Sequence, residues 1–283
     1  MTDLLPSGPA SRWRLNDGNA IPCFGLGTFQ TEPGSTTQQA VRWALGAGYR
    51  MVDTAALYHN EADVGAGVRA SGIARDEVFV TTKMWHSEHG FESSQRAFRA
   101  SLERLGLDTV DLYLIHWPTA PSPADRLASW QGLEKLKKDG LCRSIGVSNY
   151  SVRHLEEILA DSGTVPAVNQ VELHTFVYDP ELHAFCTRHG IRLEAWAPLT
   201  RGKRFDDPTV VNVAGAHRRT PAQVLVRWGL QHGFVEIPKS VHQDRIRENA
   251  QVFDFALTAS EMTALDDLRG GPRVGAGNPA DIP

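Results

Sequence analysis

Four side chains that can hold or transfer a proton lie at or just beyond the ends of short apolar runs. Asp53 and Lys83 lie at the ends of two such runs, Tyr58 follows Asp53 by five positions, and His116 lies near the end of a third. If the runs are neighbouring parallel strands, Lys83 and Asp53 can meet as a partly buried ion pair, because a buried charge requires a partner. A Lys ammonium beside a Tyr stabilises the phenolate, and we expect it to lower the tyrosine pKa from its usual value of about 10.

A tyrosine with such neighbours is suited to giving a proton to a developing alkoxide. A neutral His116 that also bonds the carbonyl oxygen would orient it and share its charge, while Asp53 keeps Lys83 charged. This set serves the reduction of a ketone or an aldehyde. Each residue also has a structural explanation: a turn cap, a solvated strand end, a core histidine with a hydrogen bond, or a tyrosine packed on a rim. The prediction depends on the fold bringing the four together.

Eight apolar runs alternate with helical patterns, which predicts a parallel sheet with helices outside it. Eight strand-helix units can close into an eight-fold β/α (TIM) barrel of the α/β class, whose chemistry lies at the C-terminal strand ends. A doubly wound open sheet is the alternative, but it normally uses fewer strands. The predicted strands are Phe24–Thr28, Met51–Ala55, Val78–Lys83, Leu112–Trp117, Ser144–Val147, Ala167–Glu172, Arg192–Ala197 and Val235–Pro238.

The predicted helices include Gln38–Ala47, Glu92–Leu105, Ser129–Lys138 and Val152–Leu159. Asp17-Gly18 predicts a turn in an N-terminal hairpin over residues 12–22. Residues 270–283 are rich in Gly and Pro, so we expect an irregular tail. Because no linker divides the chain, we predict one domain over residues 1–283.

Composition excludes several classes of function. The net charge of −4 offers no basic stripe for nucleic acid. The three cysteines lack metal-ligand spacing, so we expect no metal site and reduced thiols in a cytoplasmic protein. We find neither a signal peptide nor an apolar run long enough to span a membrane.

Glycine spacing gives no phosphate-binding loop of the usual kind. Residues 65–70 match G-x-G-x-x-G/A, but they lie inside a helical pattern rather than at a strand-to-helix turn. Gly25-Leu26-Gly27 lacks the third small residue, and no helix is predicted after the match at residues 275–280. A nicotinamide would therefore be bound without this loop.

Several longer motifs in this order identify a family. The chain resembles the aldo-keto reductases over nearly its whole length, which implies a barrel and a catalytic tetrad of Asp53, Tyr58, Lys83 and His116. The matching segments are residues 25–29, 48–61, 82–85, 101–108, 111–118, 146–149, 169–172 and 237–240.

The resemblance also implies a cofactor site for NADPH/NADP+. Ser148, Asn149 and Gln170 would hold the nicotinamide amide, and Trp196 would stack on its ring. Many members have Tyr at this position. The Trp makes this chain more similar to the bacterial branch that includes the 2,5-diketo-gluconate reductases. Two cations near the adenosine phosphate favour NADPH over NADH. The other implied cofactor residues are Thr28, Leu199, Lys239, Ser240, Val241, Arg245, Glu248 and Asn249.

Substrate preference is less defined by the sequence. The resemblance implies a small-molecule carbonyl substrate and an apolar pocket of Phe29, Trp85 and Trp117. The short C-terminal segment suggests an open pocket with broad acceptance. The basic segment 201–204 could strap the cofactor pyrophosphate, attract acidic substrates or be a solvated loop.

Two alternatives to carbonyl reduction share the same fold. One is a nicotinamide-binding regulatory protein, against which the intact tetrad argues. The other is an alcohol dehydrogenase working in the oxidative direction, because the tetrad operates both ways. His116 favours carbonyl chemistry, since Glu replaces it in members that reduce carbon–carbon double bonds. The bacterial relatives are often monomers, so we expect a monomer.

Overall fold

The computed structural model describes residues 5–275 and 277–282. Its strands are β1 (Arg12–Arg14), β2 (Ala20–Pro22), β3 (Leu26–Gly27), β4 (Met51–Asp53), β5 (Phe79–Met84), β6 (Val110–Ile115), β7 (Cys142–Ser148), β8 (Val168–Glu172), β9 (Arg192–Trp196) and β10 (Val235–Glu236). Its helices are α1 (Ser35–Gly46), α2 (Glu61–Arg69), α3 (Phe91–Leu105), α4 (Pro123–Lys138), α5 (Val152–Asp161), α6 (Pro180–Arg188), α7 (Pro208–His217), α8 (Pro221–Gln231), α9 (Gln243–Asn249) and α10 (Ala259–Asp266).

Strands β3 to β10 form one parallel sheet in chain order. The two edges of this sheet also meet. Glu236 N–H donates to the Cys23 carbonyl oxygen at 2.9 Å, and Gly25 N–H donates to the Glu236 carbonyl oxygen at 2.9 Å. At least one helix lies between each pair of consecutive strands from β3 to β10. The predicted eight-fold β/α barrel is therefore confirmed.

The predicted hairpin is also confirmed. Strands β1 and β2 pair antiparallel with Trp13 opposite Ile21, and both side chains are buried. The Asn16 side-chain amide in the connecting turn donates to the Pro166 carbonyl oxygen at 2.9 Å. Because Pro166 precedes β8, the hairpin packs against the end of the barrel where the strands begin.

Local signals set several helix boundaries. Helix α4 begins at Pro123, six positions before the predicted start at Ser129, because Ser122 caps it by accepting from Asp125 N–H and Pro occupies its first turn. The prediction from periodicity overlooked this capping signal and therefore began the helix too late. The tail is less irregular than predicted, since Pro279–Asp281 form a 3₁₀ turn; residue 276 lies outside the described residues.

Gly65 and Gly67 of the G-x-G-x-x-A match lie inside α2, as predicted. A Cβ atom at Gly65 would stand 1.8 Å from the Leu105 carbonyl oxygen at the end of α3. The missing side chain allows α2 and α3 to approach each other, so this match reflects helix packing and no phosphate loop.

In the described ranges, no helix is both long enough and apolar enough to cross a membrane. The same residues contain no group of three or more His, Cys, Asp or Glu side chains placed to hold a metal ion.

Candidate active site

A cavity of about 770 Å³ opens at the end of the barrel where the strands finish. This volume is within the range of small-molecule and cofactor pockets. The predicted site residues that border it are Phe29, Asp53, Tyr58, Trp85, His116, Trp117, Asn149, Gln170, Trp196, Leu199, Lys239, Ser240, Val241, Arg245, Glu248 and Asn249.

Strand register places the ion pair inside the barrel. Asp53 ends β4 and pairs with Thr81 of β5. Lys83 lies two residues beyond Thr81, so it shares the face on which Thr81 and Asp53 meet. Tyr58 follows on a 3₁₀ turn, Ala56–Tyr58, directly after β4. His116 comes one residue after the end of β6.

Lys83 makes a closely bonded pair with Asp53. Its Nζ lies 2.7 Å from each Asp53 carboxylate oxygen and 2.9 Å from the Thr54 carbonyl oxygen, and its side chain is fully buried. Burial favours a neutral amine, but the charge and the hydrogen bonds of Asp53 act in the opposite direction, and the pKa of Lys83 is raised. The group is therefore an ammonium at neutral pH, located 3.4 Å from the Tyr58 hydroxyl oxygen.

The expectation of a lowered tyrosine pKa is wrong for this structure. Burial raises the pKa of Tyr58 to about 12, and Asp53 and Glu194 add to that rise. Lys83 lowers the pKa as expected, but its effect is smaller than that of burial. The sequence could show the cation and could not show how strongly the surrounding protein desolvates the phenol, which is partly buried and borders the cavity.

His116 lies beside Tyr58 and Trp85, with ring centroids 5.6 Å and 5.2 Å away. Burial holds its pKa well below the ordinary value, and Lys83 and His86 lower it further. The imidazole is therefore neutral at physiological pH, which is the state that the predicted carbonyl-orienting role requires.

The three predicted amide-binding residues are linked in a chain of hydrogen bonds. The Ser148 hydroxyl donates to the Gln170 carbonyl oxygen at 2.7 Å. The Asn149 amide nitrogen donates to the His116 carbonyl oxygen at 3.0 Å, and the Trp196 indole N–H donates to the Asn149 amide oxygen at 2.9 Å. This network fixes β7, β8 and β9 relative to His116.

Two predicted cofactor residues lie behind the cavity wall. Thr28 is buried and donates its hydroxyl to the Asp53 carbonyl oxygen at 2.8 Å. Ser148 is buried as well, with its hydroxyl directed to Gln170. In this structure both residues support strand ends, because their hydroxyl protons are engaged by backbone carbonyl groups.

One end of the cavity carries two cations. Lys239 has an exposed side chain at the cavity, and partial desolvation lowers its pKa. Within residues 5–275 and 277–282, neither Lys239 nor Arg245 forms an ion pair. The Tyr49 hydroxyl, which donates to the Ile246 carbonyl oxygen at 2.9 Å, holds α9 in place beneath them. This end of the cavity fits an anionic group.

Aromatic side chains line the other end. The Phe29 ring lies 5.0 Å from the Tyr58 ring, and the Arg201 guanidinium lies 5.5 Å from the Phe29 ring. Arg201 borders the cavity, whereas Arg204 of the same basic segment lies over the Phe176 ring. The segment thus contributes one cation to the cavity mouth.

The C-terminal tail reaches the cavity, which differs from the expected open pocket. Glu172 accepts hydrogen bonds from Val274 N–H at 2.5 Å and from Gly275 N–H at 3.3 Å. Gly275 borders the cavity and lies so close to Trp196 that a Cβ atom would stand 2.2 Å from its ring. The sequence interpretation missed this contact, because an irregular tail carries no periodic signal of where it packs.

The Aldo/keto reductase family pattern matches residues 23–269. A glyoxal reductase of Bacillus subtilis is 46% identical over 278 residues, covering 98% of this chain and 99% of that protein. An aldo-keto reductase of Mycolicibacterium vanbaalenii is 53% identical over 259 residues, covering 92% of each.

Solved structures of aldo-keto reductases are similar to this chain as well. The crystal structure of an aldo/keto reductase from Brucella melitensis is 44% identical with a TM-score of 0.88, covering 91% of this chain and 99% of that one. The Bombyx mori aldo-keto reductase in complex with NADP is 38% identical with a TM-score of 0.89, covering 96% and 97%. The chain belongs to the aldo/keto reductase family.

Proposed function

We propose that the protein reduces aldehydes and ketones to alcohols with NADPH, and that Tyr58 is the proton donor. The observation that carries the proposal is the position of the Tyr58 hydroxyl, at the wall of the cavity and 3.4 Å from the buried ammonium of Lys83. Membership of the aldo/keto reductase family supports carbonyl chemistry, as does the similarity to a protein named glyoxal reductase.

The cavity fits the cofactor at two separated points. Lys239 and Arg245 offer cationic partners to the adenosine phosphate, and two cations favour the extra phosphate of NADPH over NADH. Asn149 and Gln170 border the cavity beside the tetrad and offer amide groups to the carboxamide. The similar Bombyx mori structure contains NADP, which supports this choice. When bound, NADPH supplies the hydride.

Proton transfer uses the chain's own residues. With a pKa raised to about 12, Tyr58 keeps its proton at neutral pH and can bond a carbonyl oxygen as a donor. As the oxygen gains negative charge, the proton moves to it and Lys83 stabilises the tyrosinate that remains. Asp53 holds the Lys83 ammonium at 2.7 Å, and neutral His116 can share the bond to the same oxygen.

Pocket shape supports a broad range of small carbonyl substrates. Phe29, Trp85 and Trp117 give the substrate end apolar walls, which do not require a particular polar group on the substrate. The tetrad and the cavity belong to one closed barrel, and we propose that the protein is a single-domain monomer. All three cysteines are free thiols, which supports the cytoplasm as its location.

Cofactor titration followed by an aldehyde assay tests the function. Tryptophan fluorescence is recorded as NADPH or NADH is added to the wild type and to the double variant Lys239→Met/Arg245→Met. We expect NADPH to bind the wild type about 10 to 100-fold more tightly than NADH, because charge-assisted hydrogen bonds contribute about 1.5–3 kcal/mol. The double variant should lose most of this preference and should still turn over aldehydes at saturating NADPH. Equal affinities in the wild type would refute the NADPH assignment, and no turnover of any carbonyl would refute the reductase assignment.

A further inference from the structure

A second carboxyl group lies beside the tetrad and is not used in the proposed proton transfer. Glu194 is on β9 and is fully buried. Its Oε1 accepts a hydrogen bond from Gln170 Nε2 at 3.0 Å. Its Oε2 is buried and has no hydrogen-bond partner among the described residues. A buried acid at this position requires an explanation, because desolvating a carboxyl group is costly.

Barrel geometry explains which residue Glu194 meets. Gln170 of β8 pairs directly with Glu194 of β9. Strand β8 is four places from β4 in the closed ring of eight, so Gln170 lies across the barrel from Asp53. The Gln170 side chain spans that distance, and its Nε2 donates to Asp53 Oδ2 at 2.8 Å.

The two carboxyl groups therefore engage the same amide nitrogen. A primary amide has two N–H groups on nitrogen and only acceptor lone pairs on oxygen. With the Asp53 carboxylate beside Nε2, a flipped Gln170 would direct its oxygen at a group that can only accept, whereas in the observed orientation Glu194 Oε1 also accepts from Nε2. The flip is disfavoured, so Oε1 is the end of the amide that is left for the cavity, which Gln170 borders.

Glu194 performs this role without adding a charge. The Lys83 ammonium acts on both carboxyl groups, and it already pairs with Asp53. Burial raises the pKa of Glu194 well above its ordinary value, and the charge of Asp53 adds to the rise. A neutral acid still offers a carbonyl lone pair to Gln170.

We propose that Glu194 is a positioning residue: together with Asp53 it clamps Gln170 Nε2 and keeps Gln170 Oε1 available to accept from the carboxamide N–H of the nicotinamide. This inference rests on the proposed function. It predicts an effect on recognition of the carboxamide and no direct effect on the proton donor.

The test compares two ligands that differ only at the carboxamide. NADP+ carries the amide N–H, and its acetylpyridine analogue carries a methyl ketone that cannot donate. Dissociation constants are measured by fluorescence for the wild type, Glu194→Met and Glu194→Gln. Glu194→Met should weaken NADP+ binding about five- to tenfold, the value of one hydrogen bond, and should weaken analogue binding less than about twofold. Glu194→Gln keeps an acceptor oxygen and should restore discrimination between the ligands to within about twofold of the wild type.

Glu236 supplies a matched control. It is also buried, lies on the neighbouring strand β10, and has no hydrogen bond to Gln170 among the described residues. Glu236→Met should leave the ratio of the two dissociation constants unchanged even if it lowers the melting temperature. Should Glu194→Met not fold, the ratio in Glu194→Leu decides the same question.

Three results would count against the account. An equal loss of affinity for both ligands in Glu194→Met would show a merely structural role and overturn the inference alone. The inference would also be overturned if the ratio of the two dissociation constants were the same in Glu194→Met and in the wild type. Failure of the wild type to bind NADP+ would overturn the proposed function itself.

Discussion

Tyr58 lies where two physical effects oppose each other. The Lys83 ammonium stabilises the phenolate, whereas burial among Phe29, His116 and the barrel wall destabilises it. Burial is the larger effect in this structure, so the phenol keeps its proton through the neutral range. The ion pair could be predicted from two strand ends, but the net pKa could not, because it depends on water exclusion by residues from several strands.

Substitutions in the Asp53–Lys83 pair should affect stability and reductase activity differently. Lys83→Met leaves a buried carboxylate without its cation, and we expect a loss of about 3–5 kcal/mol in the free energy of unfolding. Asp53→Asn/Lys83→Met removes both charges and should recover most of that stability. Both variants should lack reductase activity, because both lack the cation beside Tyr58. Denaturant unfolding with steady-state assays measures both quantities, and a fully active double variant would contradict the role of Lys83.

Glu236 should make the free energy of unfolding depend on pH. Burial raises its pKa well above the ordinary value, so the folded state keeps a proton that the unfolded state releases above a pH of about 4.5. Its contribution therefore makes the wild type less stable as pH rises from the unfolded pKa toward the folded pKa. Relative to the wild type, Glu236→Gln should gain about 1.4 kcal/mol per pH unit across that window. Urea unfolding at several pH values between 5 and 7 measures the gain, and a constant difference would rule out a buried, neutral Glu236.

At the scale of elements, apolar runs and capping residues define most of the barrel. The four predicted side chains lie close together because the C-terminal ends of parallel strands share one rim. A capping residue followed by Pro marks the starts of α6 at Asp179 and of α8 at Thr220, but the same signal at Ser122 was missed because the prediction for α4 used periodicity. The tail over Trp196 could not, since its position depends on backbone N–H groups that meet Glu172 from a distant part of the chain.

Two helical glycines should respond oppositely to a methyl group. Gly65→Ala places a Cβ atom 1.8 Å from the Leu105 carbonyl oxygen, so α2 and α3 must separate, and we expect a loss of about 1–3 kcal/mol. Gly215→Ala in α7 meets nothing within 4 Å and should gain about 0.5–1 kcal/mol. Thermal unfolding compares them, and NADPH affinity should be unchanged in both. A specific loss of NADPH affinity in Gly65→Ala would revive the phosphate-loop interpretation.

At the scale of the whole molecule, the two ends of the barrel have separate duties. The hairpin covers the end where strands begin, and the cavity opens at the end where they finish. Gln170 is the exception within the site, because it connects opposite sides of the barrel through Asp53. Such a contact between residues 117 positions apart cannot be predicted from local patterns.

Trp13→Ala tests this separation. Trp13 is 4% exposed and packs beneath the barrel, where the Arg192 guanidinium lies 5.3 Å from its ring. We expect the variant to lose about 3–5 kcal/mol of stability and to keep wild-type kcat/KM at temperatures where it remains folded. A large fall in kcat/KM for folded protein would show that the two ends are coupled.

The most direct test of the central claim is a comparison of wild type with Tyr58→Phe in single-turnover aldehyde reduction at saturating NADPH. The change removes the hydroxyl proton and keeps the ring that packs against Phe29 and His116. We predict a fall of about 10²–10⁴-fold in the reduction rate, the usual value of a general acid, with the dissociation constant for NADPH within about twofold of wild type. A Tyr58→Phe variant that reduces aldehydes at the wild-type rate would contradict the assignment of Tyr58 as the proton donor.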